Sequence, residues 1–164
     1  MITQDRLKEV LYYNPSTGVF TWLVSKGKCR AGAAAGCANY DGYRRMRIDG
    51  ADYQAHRLAW LYMTGGWPVD QIDHINGVRA DNRFSNLREA TNAENAQNQA
   101  TAVNNTSGFT GVSWNRAARK WQSQITFAGK IKNLGYFATP EDAHAAYVAA
   151  KAKHHMFQPT MRAA

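Results

Sequence analysis

The segment Ile72–Asn98, IDHINGVRADNRFSNLREATNAENAQN, constrains the fold of this chain more than any other. "QIDHI" and "NLREA" read as two short strands with ten residues between them. "TNAE" at 91–94 is a capping box: Thr91 accepts from the amide three residues on, and Glu94 reaches back. A helix is therefore predicted from about Asn92, and the order is strand, long loop, strand, helix. The region is rich in asparagine (Asn76, Asn82, Asn86, Asn92, Asn95, Asn98) and has no cysteine. Asparagine forms turns, caps helices and orients neighbours through its amide, so a long loop is one reading and a site is the other.

The remaining segments read more conventionally. Residues 3–13 are predicted as a helix with Leu7, Val10 and Leu11 on one side, and "NPSTGVFTWL" as a turn leading into a strand. From Ser25 to Asn39 a Gly/Ala/Lys-rich loop with extended pieces is expected. "GYRRMRIDGADYQAH" alternates around a "DG" hairpin signal. "AHRLAWLYMTGG" reads as a helix with Leu58, Leu61 and Tyr62 on one face, stopped by Gly65 and Gly66. Residues 99–108 are small and polar and are placed as the domain boundary. Three strands follow, "FTGVSWNR", "KWQSQITFAG" and "KIKNLGYF", with Trp121, Ser123, Ile125 and Phe127 expected to face a closing helix. Leu134 and Phe137 break simple alternation on the third. The helix "ATPEDAHAAYVAAKAKHH" has Thr139 as cap, Pro140 at its first position and acids in its first turn.

Charge narrows the partner. The chain of 164 residues carries a net +8. Residues 104–164 hold eight Lys/Arg against Glu141 and Asp142, whereas residues 1–103 hold twelve against ten acids. The C-terminal part is thus the more basic, which favours a polyanion, most often nucleic acid. No apolar run approaches the ~20 residues of a membrane span, and the charged start "MITQDRLKEVLYY" lacks a signal-peptide core, so a cytoplasmic location and no membrane partner are expected. The two cysteines, Cys29 and Cys37, fall short of the four ligands of a structural zinc site even with His154 and His155 nearby in type. They are expected to be free, buried thiols.

Hydrolysing a phosphodiester needs an activated water, a sink for the phosphate charge and a route for the leaving oxygen. One histidine serves as general base because its pKa lies near working pH. A hard divalent ion such as magnesium uses only one or two protein oxygens, which an aspartate and an asparagine carbonyl supply. A further amide fixes the imidazole. Asp73, His74, Asn86 and Asn95, at strand ends and on the first helical turn, match that list with none left over.

The spacing of Asp73-His74, Asn86 and Asn95, with "HRLAW", "IDHINGVRADNR", "NLREAT" and "NAQN" around it, resembles the HNH endonucleases in their His-Asn-Asn form, notably phage homing and free-standing enzymes. The resemblance covers about residues 1–100. It implies an α+β chain whose nuclease domain (1–103) holds a ββα-metal core at about 68–100, and one Mg²⁺ (or Mn²⁺) per site. By motif position, His74 would be the general base, Asp73 and Asn95 the metal ligands, and Asn86 the residue that positions His74. Asn98, one turn from Asn95, is a candidate to share the metal, and Asn82 is expected to serve the loop.

Residues 104–164 resemble the AP2 DNA-binding domain through "GFTGVSWNRAARKWQSQITFAGKIKNLGYFATPEDAHAAYVAA". That implies a three-stranded antiparallel sheet laid in the major groove of double-stranded DNA and backed by one helix. The copy departs from the family at Ser113, Asn115 and Thr126, where plant members carry arginines, so base preference does not transfer. The residues expected to touch DNA are Arg44, Arg45, Arg47, Arg57, Arg116, Arg119, Gln122, Gln124, Thr126, Lys130 and Lys132. Glutamine suits adenine edges. One set around His74 and no internal repeat point to a monomer. A non-catalytic DNA-binding protein is the alternative, and the complete Asp-His-Asn-Asn set argues against it.

Overall fold

The computed structural model describes residues 1–97 and 105–155, the side chains of residues 96 and 97 excepted. They fall into two compact units that divide after Asn95.

In the first unit, helix α1 (Gln4–Val10) starts on Thr3, whose hydroxyl accepts from the Arg6 amide. It is shorter than the sequence suggested. "LYYN" passes straight into strand β1 (Leu11–Asn14), which pairs antiparallel with β2 (Val19–Trp22). Leu7, Val10 and Leu11 do share the core, but Leu11 enters it from a strand. The reason is the period: Leu11 and Tyr13 are buried while Tyr12 is half exposed, which a two-residue repeat satisfies and a helix does not. Asn14 closes the hairpin, its Oδ1 accepting from the amides of Ser16 and Thr17. Tyr13 and Phe20 stack tilted at 4.6 Å, with the edge of Tyr62 at 5.6 Å from Tyr13. Each such aromatic removed from water is worth roughly 1.5–3 kcal/mol, so this trio anchors the N-terminal hairpin.

Strands β3 (Cys37–Ala38), β4 (Arg44–Ile48) and β5 (Ala51–Gln54) form an antiparallel sheet in that order. Asp49 and Gly50 both take positive φ (48° and 85°), the two-residue turn that "DG" announced. Helix α2 (Ala55–Thr64) buries Leu58, Ala59 and Leu61 and ends on Gly65 at φ 83°. Strands β6 (Gln71–His74) and β7 (Leu87–Ala90) pair antiparallel, with Asp73 opposite Arg88 and His74 opposite Leu87. A 3-10 turn at Phe84–Asn86 precedes β7, and α3 (Asn92–Gln97) begins on the expected capping box. The Thr91 amide donates to Glu94 Oε2 at 2.8 Å, and the Glu94 amide returns to Thr91 Oγ1 at 3.3 Å.

The cysteines depart from expectation. Cys29 is half-buried and Cys37 exposed, because Cys37 lies on the short edge strand β3 where little packs over it.

In the second unit, β8 (Val112–Asn115), β9 (Lys120–Phe127) and β10 (Lys130–Phe137) form an antiparallel sheet with β9 central. Helix α4 (Pro140–His154) covers one face, where Val112, Ser123, Ile125 and Ala143 are buried. Gly111 is required under it: a Cβ there would lie 2.2 Å from the Tyr147 ring. Phe127 meets His154 of α4 at 4.9 Å, although it remains nearly half exposed at the strand end. The register shift between Asn133 and Gly135 is a bulge, and it explains the broken alternation at Leu134 and Phe137. Among the described residues no helix is long and apolar enough to cross a membrane.

Candidate active site

The β6–β7 hairpin ends where His74 leaves the strand, and the loop between the strands folds back over it. His74 is buried, and its Nε2 lies 3.1 Å from Asn82 Oδ1. Asn82 Nδ2 donates to the Ala80 carbonyl, which fixes which end of the amide faces the imidazole. An amide oxygen can only accept, so this contact favours the tautomer with its proton on Nε2. Burial holds His74 below the ordinary imidazole value, while the bond to Asn82 and the nearby Asp73 and Asp81 charges pull it back up. The ring is neutral at neutral pH, the form a base requires.

Two more rings wall the imidazole. His56, from α2, makes an edge contact at 5.1 Å, and Tyr43 lies 5.8 Å away, with the Arg79 guanidinium over its other neighbourhood at 5.1 Å. His56 is buried, its Nδ1 has no hydrogen-bond partner among the described residues, and desolvation pushes it down to about 3.

Asn86 bonds within the loop that covers His74. Its Oδ1 accepts from the Asn76 amide at 3.0 Å, and its Nδ2 donates to Asn76 Oδ1 and to the Asp81 carbonyl. The described bond to His74 comes from Asn82 instead, and Asn86 ties the two ends of the loop that delivers Asn82. The reason is position: Asn86 closes the 3-10 turn one residue before the partner of His74 on β7, so its amide reaches along the loop. Asp81 completes the network. It accepts from Asn76 Nδ2 at 2.7 Å and from Arg83, whose guanidinium holds its carboxyl down to about 2. The sequence offered Asn82 only as a loop residue; its one signal was the density of asparagines.

Asp73 is also buried. Its Oδ2 accepts from Arg88 Nε at 2.9 Å and Nη2 at 2.6 Å across the strand pair. Asn95, on the first turn of α3, donates its Nδ2 to Gln71 Oε1. That contact aims the amide and leaves the carbonyl oxygen as its remaining donor atom. Gln71 and Asp73 are two residues apart on β6 and so share a side of the hairpin. Among the described residues no cluster of three His, Cys, Asp or Glu side chains occurs. One carboxylate and one amide oxygen are nevertheless donors of the hard type that magnesium accepts, with water completing its shell. Asn98 lies outside the described residues.

The basic candidates separate. Arg57 donates to the carbonyls of Asp70 and Pro68, a structural brace at the mouth of β6. Arg44 donates to the Gly36 carbonyl and Arg45 to Asp41, both remaining exposed, and Arg47 is exposed beside them. In the second unit Arg116, Arg119, Lys130 and Lys132 are exposed around the sheet. On its uncovered face Gln122 touches Asn115 and Tyr136, while Gln124 and Thr126 line a shallow hollow with Ser113 and Ile131.

Residues 53–97 match the HNH endonuclease family model. That span includes Asp73, His74, Asn82, Asn86 and Asn95. A relative comes from a phage: over 80 residues the chain is 40% identical to Protein 3.8 of Escherichia phage T7. The aligned part is 48% of this chain and 66% of the relative, just under two thirds of its length. No solved structure matches the chain.

Proposed function

We propose that the protein is a metal-dependent endonuclease that cuts double-stranded DNA one strand at a time, with His74 as the general base. The observation that supports this reading is a buried imidazole bonded through Nε2 to Asn82, beside Asp73 and inside the HNH match. His74 Nδ1 takes a proton from water as the water oxygen bonds to phosphorus. The bond from phosphorus to the 3′ oxygen breaks, and that oxygen takes a proton from solvent. A divalent ion (Mg²⁺ or Mn²⁺), held by Asp73 and Asn95, would neutralise the phosphate and stabilise the leaving oxygen. Residues 1–103 do the chemistry and residues 104–164, an AP2-like module, supply affinity. The exposed Arg116, Arg119, Lys130 and Lys132, and strands free of acidic residues, support that division. Arg44, Arg45 and Arg47, exposed on β4 of the first unit, would contact phosphate. With one site per chain, a monomer nicks.

A second reading is a non-cutting DNA-binding protein, and the observation in its favour is that Arg88 Nε and Nη2 both donate to Asp73 Oδ2. Supercoiled plasmid decides between them. With Mg²⁺ or Mn²⁺ the nicking reading expects open circles before any linear product, and no cutting in EDTA. Asp73→Ala and Asn95→Ala should each raise the Mg²⁺ concentration needed for half-maximal cutting. Full activity in EDTA excludes the metal, and intact plasmid under every condition leaves the DNA-binding reading.

A further inference from the structure

The HNH match begins at residue 53, yet the residue that holds His74 is itself held by the chain's first hairpin. The Tyr13 hydroxyl donates to the backbone carbonyl of Asn82 at 2.6 Å, in a fully buried setting. One residue on from the Arg83 amide, the Phe84 amide donates to the Pro15 carbonyl at 3.0 Å. Between these two bonds the turn at Gly18 passes so close that a Cβ there would fall 2.4 Å from Asn82 C and from Arg83 N. Gly18 also sits at φ 73°, where any side chain is strained. The backbone of Asn82 is thus gripped at its carbonyl, pressed by Gly18 and tied again two residues later. The residue is 1% exposed, and its side chain is held between the Ala80 carbonyl and His74.

The two sides of this grip have different origins. The loop network of Asn76, Asp81 and Asn86 holds Asn82 from within the matched segment. Tyr13, Pro15 and Gly18 hold it from outside, across the β1–β2 hairpin. A shift of a few tenths of an ångström in the Asn82 backbone is passed to a hydrogen bond of 3.1 Å and to the imidazole behind it.

We infer that the β1–β2 hairpin is a positioning element for the general base: Tyr13 and Gly18 set Asn82, and Asn82 sets the tautomer and angle of His74. The inference rests on the reading of His74 as the base. Tyr13 is a positioning residue, since it touches neither DNA nor the reacting atoms in this scheme. Its ring packs on Phe20 and Tyr62, so Tyr13→Phe removes the hydroxyl and keeps the packing.

The test uses the full chain. Tyr13→Phe should lower kcat by about 10–100-fold, the scale of a small misplacement of a catalytic group, with KM for DNA unchanged. Nitrogen NMR of the His74 ring should move from a single Nε2–H tautomer toward a mixture in Tyr13→Phe, and likewise in Gly18→Ala if that variant folds. Tyr12→Phe, on the half-exposed side of the same strand, should leave both readouts as in wild type. Wild-type kcat and an unchanged ring spectrum in Tyr13→Phe overturn the inference. So does a loss of kcat with an unchanged His74 tautomer, which marks a merely structural role. If His74→Ala cuts like wild type, the base assignment has failed instead. The ring spectrum separates the two failures, because it does not depend on cutting.

Discussion

Replacing His74 with alanine is expected to lower kcat by about 10²–10⁴-fold while DNA affinity barely changes, the usual worth of a positioned general base. The size follows from how completely the imidazole is committed. It is buried and held below the ordinary imidazole value, so at neutral pH the ring carries no charge that would add to phosphate affinity. The pH profile adds a sign. Burial holds the folded value below the ordinary 6.5, so the acid limb of the rate should lie below that value and the rate should be flat above it. An acid limb above pH 6.5, or wild-type cutting by His74→Ala, removes this residue from the mechanism.

Stability should fall steeply in mild acid, and His56 should cause much of the fall. Its folded value is about 3 against 6.5 for an ordinary imidazole, because it is buried. Between those values the unfolded chain binds a proton that the folded chain refuses. Stability is therefore present above pH 6.5 and lost as pH drops toward 3, by up to ~1.4 kcal/mol per pH unit for one such group. At pH 4 that amounts to roughly 3 kcal/mol, a large share of the ~5–15 kcal/mol that holds a domain together. His74 acts in the same direction. The best-held carboxylate of the site does not compete in this window, since Asp81 lies at about 2 and its contribution is lost only below pH 4. Denaturant unfolding at several pH values should show the slope, and His56→Gln should flatten it whatever it does to stability at pH 7. An unchanged slope in His56→Gln would remove His56 as the cause.

The parts legible in the sequence were those written locally. A capping box is four residues long, and "TNAE" placed α3 at Asn92. "DG" placed the β4–β5 turn, and parity placed Ser123 and Ile125 under α4. Leu11–Asn14 was missed as a strand because its period of two begins on a residue that also completes the apolar stripe of α1. The partner of His74 was missed for a different reason. Asn82 and Asn86 have the same amide and similar loop surroundings, and only the path of residues 76–86 decides which one reaches the ring. Besides its own Asn76, Asp81 and Asn86 network, that path is contacted by Tyr13, Pro15 and Gly18, far away in the chain and in no spacing pattern with His74. Arg88 opposite Asp73 was hidden likewise, since its partner follows from strand register rather than from separation along the chain.

The bond between Tyr13 and Asn82 spans 69 residues, and it is the tie on which the site's geometry converges. Closing a loop of that length is entropically slow compared with forming α1, α2 or either hairpin, each of which needs only near neighbours. A refolding molecule therefore gains its helices and its β6–β7 hairpin well before His74 is locked in register. On the proposed function, competence to cut DNA would therefore follow the formation of α1, α2 and the β6–β7 hairpin.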